Sequence, residues 1–182
     1  MIEFPPLPSW DALHPLVVHF PIALLLFAPL LVVAGFLLRS PRGRGVQLAA
    51  LTLMVTGTIA TFVAAATGEA AGKLADRTEL SSAVLEHHEE LAESTRTVFT
   101  GLTLAYAAVL FGPGLLRSQL APVASAALTV VFLVLYAAGG VLLANTAHNG
   151  GRLVHELGIT AMVPAGGPPP GASALGGGPE ED

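Results

Sequence analysis

Apolar residues run through this chain in four long blocks, separated by short polar stretches. Pro15 to Leu38 contains no Asp, Glu, Lys or Arg and only one strongly polar ring, His19. Val46 to Thr67 is equally free of ionised groups, Thr97 to Leu116 follows a charged run, and Ala121 to Ala147 again carries no charge. A membrane-spanning helix needs about 20 predominantly apolar residues, and each block supplies them. Gly112 and Pro113 are expected to break the third helix near its end, while Pro122 suits the first turn of the fourth. The first block is too long for the core of a cleaved signal and has no basic leader. The links Arg39 to Gly45 and Arg117 to Leu120 are short, which favours antiparallel neighbours.

The predicted architecture is all-α, an integral membrane four-helix bundle running up-down-up-down over residues 1–163. Residues 164–182, Pro164 to Asp182, are rich in Pro, Gly and Ala and end Pro-Glu-Glu-Asp. They have little to bury and read as a disordered C-terminal tail. No internal repeat is evident beyond the two helical hairpins.

Composition supports the bilayer as solvent. Hydrophobic residues make up 53% of the 182 and charged ones only 12%, about half the usual share for a soluble domain. A net charge of −5 with eight Lys and Arg argues against nucleic acid, which needs a clustered basic footprint. The absence of cysteine excludes disulfides and iron–sulfur clusters. Charge placement also orients the bundle. Arg39, Arg42, Arg44 and Arg117 flank the two short links, and all thirteen Asp and Glu lie toward the other end. The positive-inside rule then places the short links in the cytoplasm and both termini outside.

The six histidines add candidate chemistry, because that topology puts His14, His19, His87, His88, His148 and His155 all near the outer end. His19 is flanked by Val17, Val18, Phe20 and Ile22. A polar side chain inside a span usually faces the bundle and finds a partner, so His19 is the first ligand candidate, with a structural hydrogen bond as the alternative. From Glu79 to Arg96 the pattern is amphipathic: Leu80, Val84, Leu91, Thr95, Val98 and Phe99 share a stripe, and His88 falls within it. Glu86, Glu89, Glu90 and Glu93 occupy the opposite face, and His87 at the border reads as solvated. His88 is the second candidate. His14, at the start of the first helix, reads as a ligand or as an imidazole at the headgroup level. His148 reads as a ligand or a helix cap, and His155 beside Glu156 as a surface pair. The Gly150-Gly151 pair predicts a tight left-handed turn or a close backbone approach.

Neutral imidazole suits haem iron, zinc or copper, yet no spacing here forms a strong metal motif. Haem b needs only one or two axial imidazoles from different helices and an apolar slot. His19 and His88 are therefore the expected axial ligands, or less favourably the ligands of a metal, with His14 and His148 in reserve. Ala64 to Ala66, Gly68 and Gly72 read as room for a flat ring or as ordinary close helix packing. No nucleophile elbow is present, and mid-span Thr56, Gly57, Thr58, Gly139 and Gly140 carry no charge, which disfavours a transporter. An electron-transfer subunit and a non-catalytic structural subunit are thus the two leading readings, ahead of a stand-alone enzyme.

The run His14-Pro15-Leu16-Val17-Val18-His19-Phe20-Pro21-Ile22-Ala23 is similar to the opening motif of the DUF2231 family of predicted bacterial membrane proteins. The His88-Glu89 step agrees with it, as do Gly150-Gly151-Arg152-Leu153-Val154 and Gly158. Where the family often has Tyr after the Leu-Val step, this chain has His155. The resemblance covers about residues 12–160 and implies a four-span protein of the bacterial inner membrane. Members sometimes accompany redox domains, which implies membrane or periplasmic redox proteins as partners, besides the lipid bilayer. It supplies no ligand assignment.

Overall fold

The computed structural model describes residues 8–38, 41–75, 78–115 and 121–159. A 3-10 turn, Asp11–Leu13, leads into α1 (His14–Val17) and α2 (His19–Leu37), which together form the first rod. Then come α3 (Arg42–Leu74), α4 (Glu79–Leu115) and α5 (Pro122–His155). Pro15 and Pro122 occupy first-turn positions of α1 and α5, where a missing N–H costs nothing. All four rods are long and apolar enough to cross a membrane. At 1.5 Å per residue the 37 residues of α4 reach about 55 Å, well beyond a hydrocarbon core of about 30 Å. The helices therefore project past the bilayer.

The rods pack as a ring: α2 on α3, α3 on α4, α4 on α5, and α5 back on α2 by the loosest of the four seams. The first rod and α4 occupy one diagonal, and α3 and α5 the other. The expected four-helix bundle is what the chain forms. Its interior is small, hydroxylated and aromatic, as expected where lipid is as apolar as leucine and close approach drives association. Gly57 meets Leu24 and Leu25, and Gly139 meets Val98, Phe99 and Leu102. Thr58 and Thr103 share a hydrogen bond of 2.9 Å, and Thr95 and Thr146 one of 2.8 Å. Outward-facing positions carry Phe27, Leu30, Leu104, Val130 and Val134.

Pro29 lies inside α2. It has no N–H for the carbonyl four residues back, which is that of Leu25. The Tyr136 hydroxyl donates to that oxygen at 2.7 Å, so one side chain repairs the helix and ties α5 to α2.

Several expectations are corrected. Pro113 does not end the third helix, which runs through it to Leu115, because the hydrogen bond lost falls in the last turn. Of the two readings of Gly150-Gly151 the left-handed turn is not formed, since both stay within α5 and the positive φ falls on Gly158 at 64°, whereas the close approach holds at Gly150, against His88. The predicted stripe of α4 holds at Thr95 and Phe99, which are buried, but at its start Ser81 and Leu85 are buried and Leu80 points outward. Arg39, Arg117 and the predicted tail, Pro164 to Asp182, lie outside the described residues.

Candidate functional site

Two imidazoles sit in matching seats at the end of the bundle opposite the short links. His14 opens α1 and leans on the last turns of α3. Its Nδ1–H donates to the Ala64 carbonyl at 2.9 Å, with the Thr67 hydroxyl a second acceptor at 3.2 Å. Thr67 in turn donates back to its own helix, to the Val63 and Ala64 carbonyls. His88, on α4, leans on α5 and donates from Nδ1 to the Thr146 carbonyl at 3.0 Å. A carbonyl oxygen can only accept, so Nδ1 holds the proton in both rings. In the neutral imidazole Nε2 then keeps its lone pair.

Glycine makes each seat possible. A Cβ at Gly68 would lie 2.8 Å from the His14 Cε1, and one at Gly150 would lie 3.0 Å from that of His88. In both hairpins the accepting carbonyl stands four residues before the glycine, one turn away on the same face. The correspondence continues downward. Gly57 and Gly139 each stand three turns below the seat glycine, one against Leu24 and Leu25, the other against Val98 and Phe99. The two hairpins are thus structural repeats, offset by 74 positions in the first helices (His14 to His88, Leu25 to Phe99) and by 82 in the second (Gly68 to Gly150, Gly57 to Gly139). His14 and His88 lie on diagonal helices, within electrostatic range of each other.

The remaining histidines lie elsewhere. His19 follows His14 by five residues, about 140° around the helix, and its side chain is exposed on the outside of the bundle. His148 is likewise exposed, two residues from the seat glycine and turned away from it. His87 is exposed beside Glu90 at 3.9 Å. His155 is exposed, and Glu156 pairs with Arg152 at 2.9 Å instead. Of the expected ligands, then, His88 and the reserve His14 are brought together, while His19 and His148 are not. Among the described residues no group of three or more His, Asp or Glu is placed to hold a metal ion.

Sequence reasoning named Ala64, Gly68 and Gly150 for close approach but not as parts of imidazole seats, and it missed Thr67 and Thr146. The available signal was spacing: Gly57 to Gly68 and Gly139 to Gly150 are equal intervals in the second helix of each hairpin.

Neither the curated proteins nor the solved structures contain a match to the chain. The family model described as "Predicted membrane protein (DUF2231)" matches residues 10–162, and the chain belongs to that family.

Proposed function

We propose that this four-span membrane protein holds haem b between His14 and His88 and serves electron transfer in a membrane complex of the bacterial inner membrane. The observation that carries the reading is the pair of matching imidazole seats on diagonal helices. The residues fit that group better than a bare metal ion. Two imidazoles are a full axial set for haem iron but too few for a zinc or copper cage. Each ring donates its second nitrogen to a helix carbonyl, the arrangement that fixes the orientation of a ligating histidine and raises its basicity. Bound haem would supply one-electron redox chemistry. The chain would supply two neutral imidazoles, each held by a helix carbonyl, as its ligands. The short links at the far end carry Arg and no acidic residue, which favours an orientation with the imidazole end toward the periplasm, where redox partner proteins would dock.

The test is the visible spectrum of detergent-purified protein, oxidised and reduced. A reducible haem band should be present, vanish in His14→Ala and in His88→Ala, and persist in His19→Ala. A chain that stays colourless after haem is added overturns the reading. The alternative, a non-catalytic structural subunit, is favoured by one feature: each imidazole staples the two helices of its own hairpin. In that case both alanine variants lower thermal stability with no pigment ever found.

A further inference from the structure

The opposite end of the bundle holds a cleft of about 900 Å³ that the imidazole site does not use. Its walls come from all four rods. Val32 and Phe36 of α2 and Val109 of α4 are apolar, and Thr129 of α5 closes one side. Its polar lining is Arg44 and Gln47 from α3, Tyr106 from α4 and, beside Thr129, Ser125 from α5.

Tyr106 is the informative one. Its side chain is 6% exposed, and its hydroxyl is buried with no hydrogen-bond partner among the described residues. Tyr136, in the same aromatic cluster, satisfies its hydroxyl on the Leu25 carbonyl. A fold that repairs one buried hydroxyl and orphans another leaves a donor waiting for an acceptor, since an unmade buried hydrogen bond is costly. Stacking on Phe132, with ring centroids 5.0 Å apart, holds the Tyr106 ring in place. The hydroxyl also lies within electrostatic range of the Arg44 guanidinium.

Arg44 is anchored rather than neutralised. One N–H donates to the Leu110 carbonyl at 2.7 Å, and the guanidinium sits 5.4 Å from the centre of the Phe111 ring. Among the described residues no carboxylate pairs with it: Asp11, Glu69, Glu79, Glu86, Glu89, Glu90, Glu93 and Glu156 all lie toward the opposite end of the bundle. The occupant must therefore accept hydrogen bonds, carry negative charge and bring an apolar chain. The cleft is bordered by Val32 and Phe36 of α2 and by Ser125 and Thr129 of α5, the two helices of the loosest seam in the ring.

We propose that this cleft binds the phosphate headgroup of an anionic membrane phospholipid, with phosphate oxygens accepting from Arg44, Tyr106 and Gln47 and an acyl chain lying along Val32, Phe36 and Val109. Arg is suited to this because its planar fork matches phosphate geometry. Anionic lipid is concentrated in the leaflet that faces the unopposed arginines.

The experiment is a titration of the full chain in neutral detergent, following thermal unfolding with phosphatidylglycerol, phosphatidylcholine or inorganic phosphate. Phosphatidylglycerol should stabilise saturably, phosphatidylcholine and free phosphate should not. Arg44→Gln should weaken apparent affinity about tenfold and Tyr106→Phe about fivefold, the loss of one charge-assisted and one ordinary hydrogen bond. Arg42→Gln, on the exposed first turn of α3, should leave affinity unchanged. Tyr106→Phe keeps ring shape and removes only an orphan hydroxyl, so it folds as the parent does. Equal stabilisation by phosphatidylcholine, an equal response to inorganic phosphate alone, preference for an uncharged quinone, or full phosphatidylglycerol affinity in Tyr106→Phe would each overturn the proposal.

Discussion

The two hairpins are built from the same parts and differ in how they are filled. In each, a histidine on the first helix donates to a carbonyl on the second and rests on a glycine one turn further along. In each, a second glycine three turns below lets a bulky residue of the partner helix in. The first hairpin fills that lower contact with Leu24 and Leu25, the second with Leu102, Val98 and the Phe99 ring. The first backs its imidazole with the Thr67 hydroxyl, whereas the second spends its hydroxyl, Thr146, on Thr95 across the α4–α5 seam. What the repeat preserves is close approach at two levels; the side chains that exploit it are free to change.

The hardest test of that equivalence is to fill both seats. Gly68→Leu and Gly150→Leu place a branched side chain where a Cβ alone already crowds the ring, and overpacking of this kind costs about 3 kcal/mol. Both should lose any haem band completely and unfold at lower temperature by matching amounts, read by spectroscopy and thermal denaturation. If one variant keeps the band while the other loses it, the seats are not equivalent and only one imidazole serves as ligand.

The lower glycines should separate the hairpins. A Cβ at Gly57 would lie 2.8 Å from both Cγ and Cδ2 of Leu25, a residue with no exposed surface. At Gly139 the nearest atom, on Leu102, is 3.1 Å away. Alanine gains about 1 kcal/mol over glycine in a helix interior, which offsets the milder clash but not the harder one. Gly57→Ala should therefore destabilise by about 2 kcal/mol, and Gly139→Ala should change stability by less than about 0.5 kcal/mol. Equal losses would mean that the two fillings yield alike.

The rods, their order and the gathering of histidines at one end were legible in the sequence, because span length and short links leave little choice of topology. Which face of each rod turns inward was legible only in part. In water, an apolar stripe marks the buried face; beside lipid both faces are apolar, and glycine, threonine and serine join the packed one. In α4 the predicted stripe holds at Thr95 and Phe99, while at its start Ser81 and Leu85 are buried rather than Leu80. His88 is inward as the stripe predicts, between the buried Leu85 and Thr95. His14 was undervalued because a ring at a helix start carries no periodic signal, and its partners Ala64 and Gly68 are 50 or more positions away.

A smaller contrast concerns the tyrosines of α4 and α5. Tyr136→Phe strands the Leu25 carbonyl that Pro29 has already deprived of its helical donor, at a cost of about 1.5 kcal/mol. Tyr106→Phe removes a hydroxyl with no partner among the described residues, so in lipid-free detergent it should be neutral or slightly stabilising. Paired thermal denaturation of the two variants decides this, and a comparable loss in both would show that Tyr106 already has an acceptor within the chain.

The smallest expected effect is at His19. His14 and His19 share a rod and a motif, so a reading from sequence treats them as a pair. Five residues of helix separate them by about 140°, and a rod that turns one inward must turn the other toward lipid or toward a neighbouring protein. His14 has two hydrogen-bond acceptors on α3, while the His19 ring is exposed. His19→Leu should leave the spectrum intact and alter stability by less than about 0.5 kcal/mol, the usual range for a surface position. A lost or shifted haem band in that variant would move the ligand to the outer surface of the first rod, where only a second subunit could complete the site.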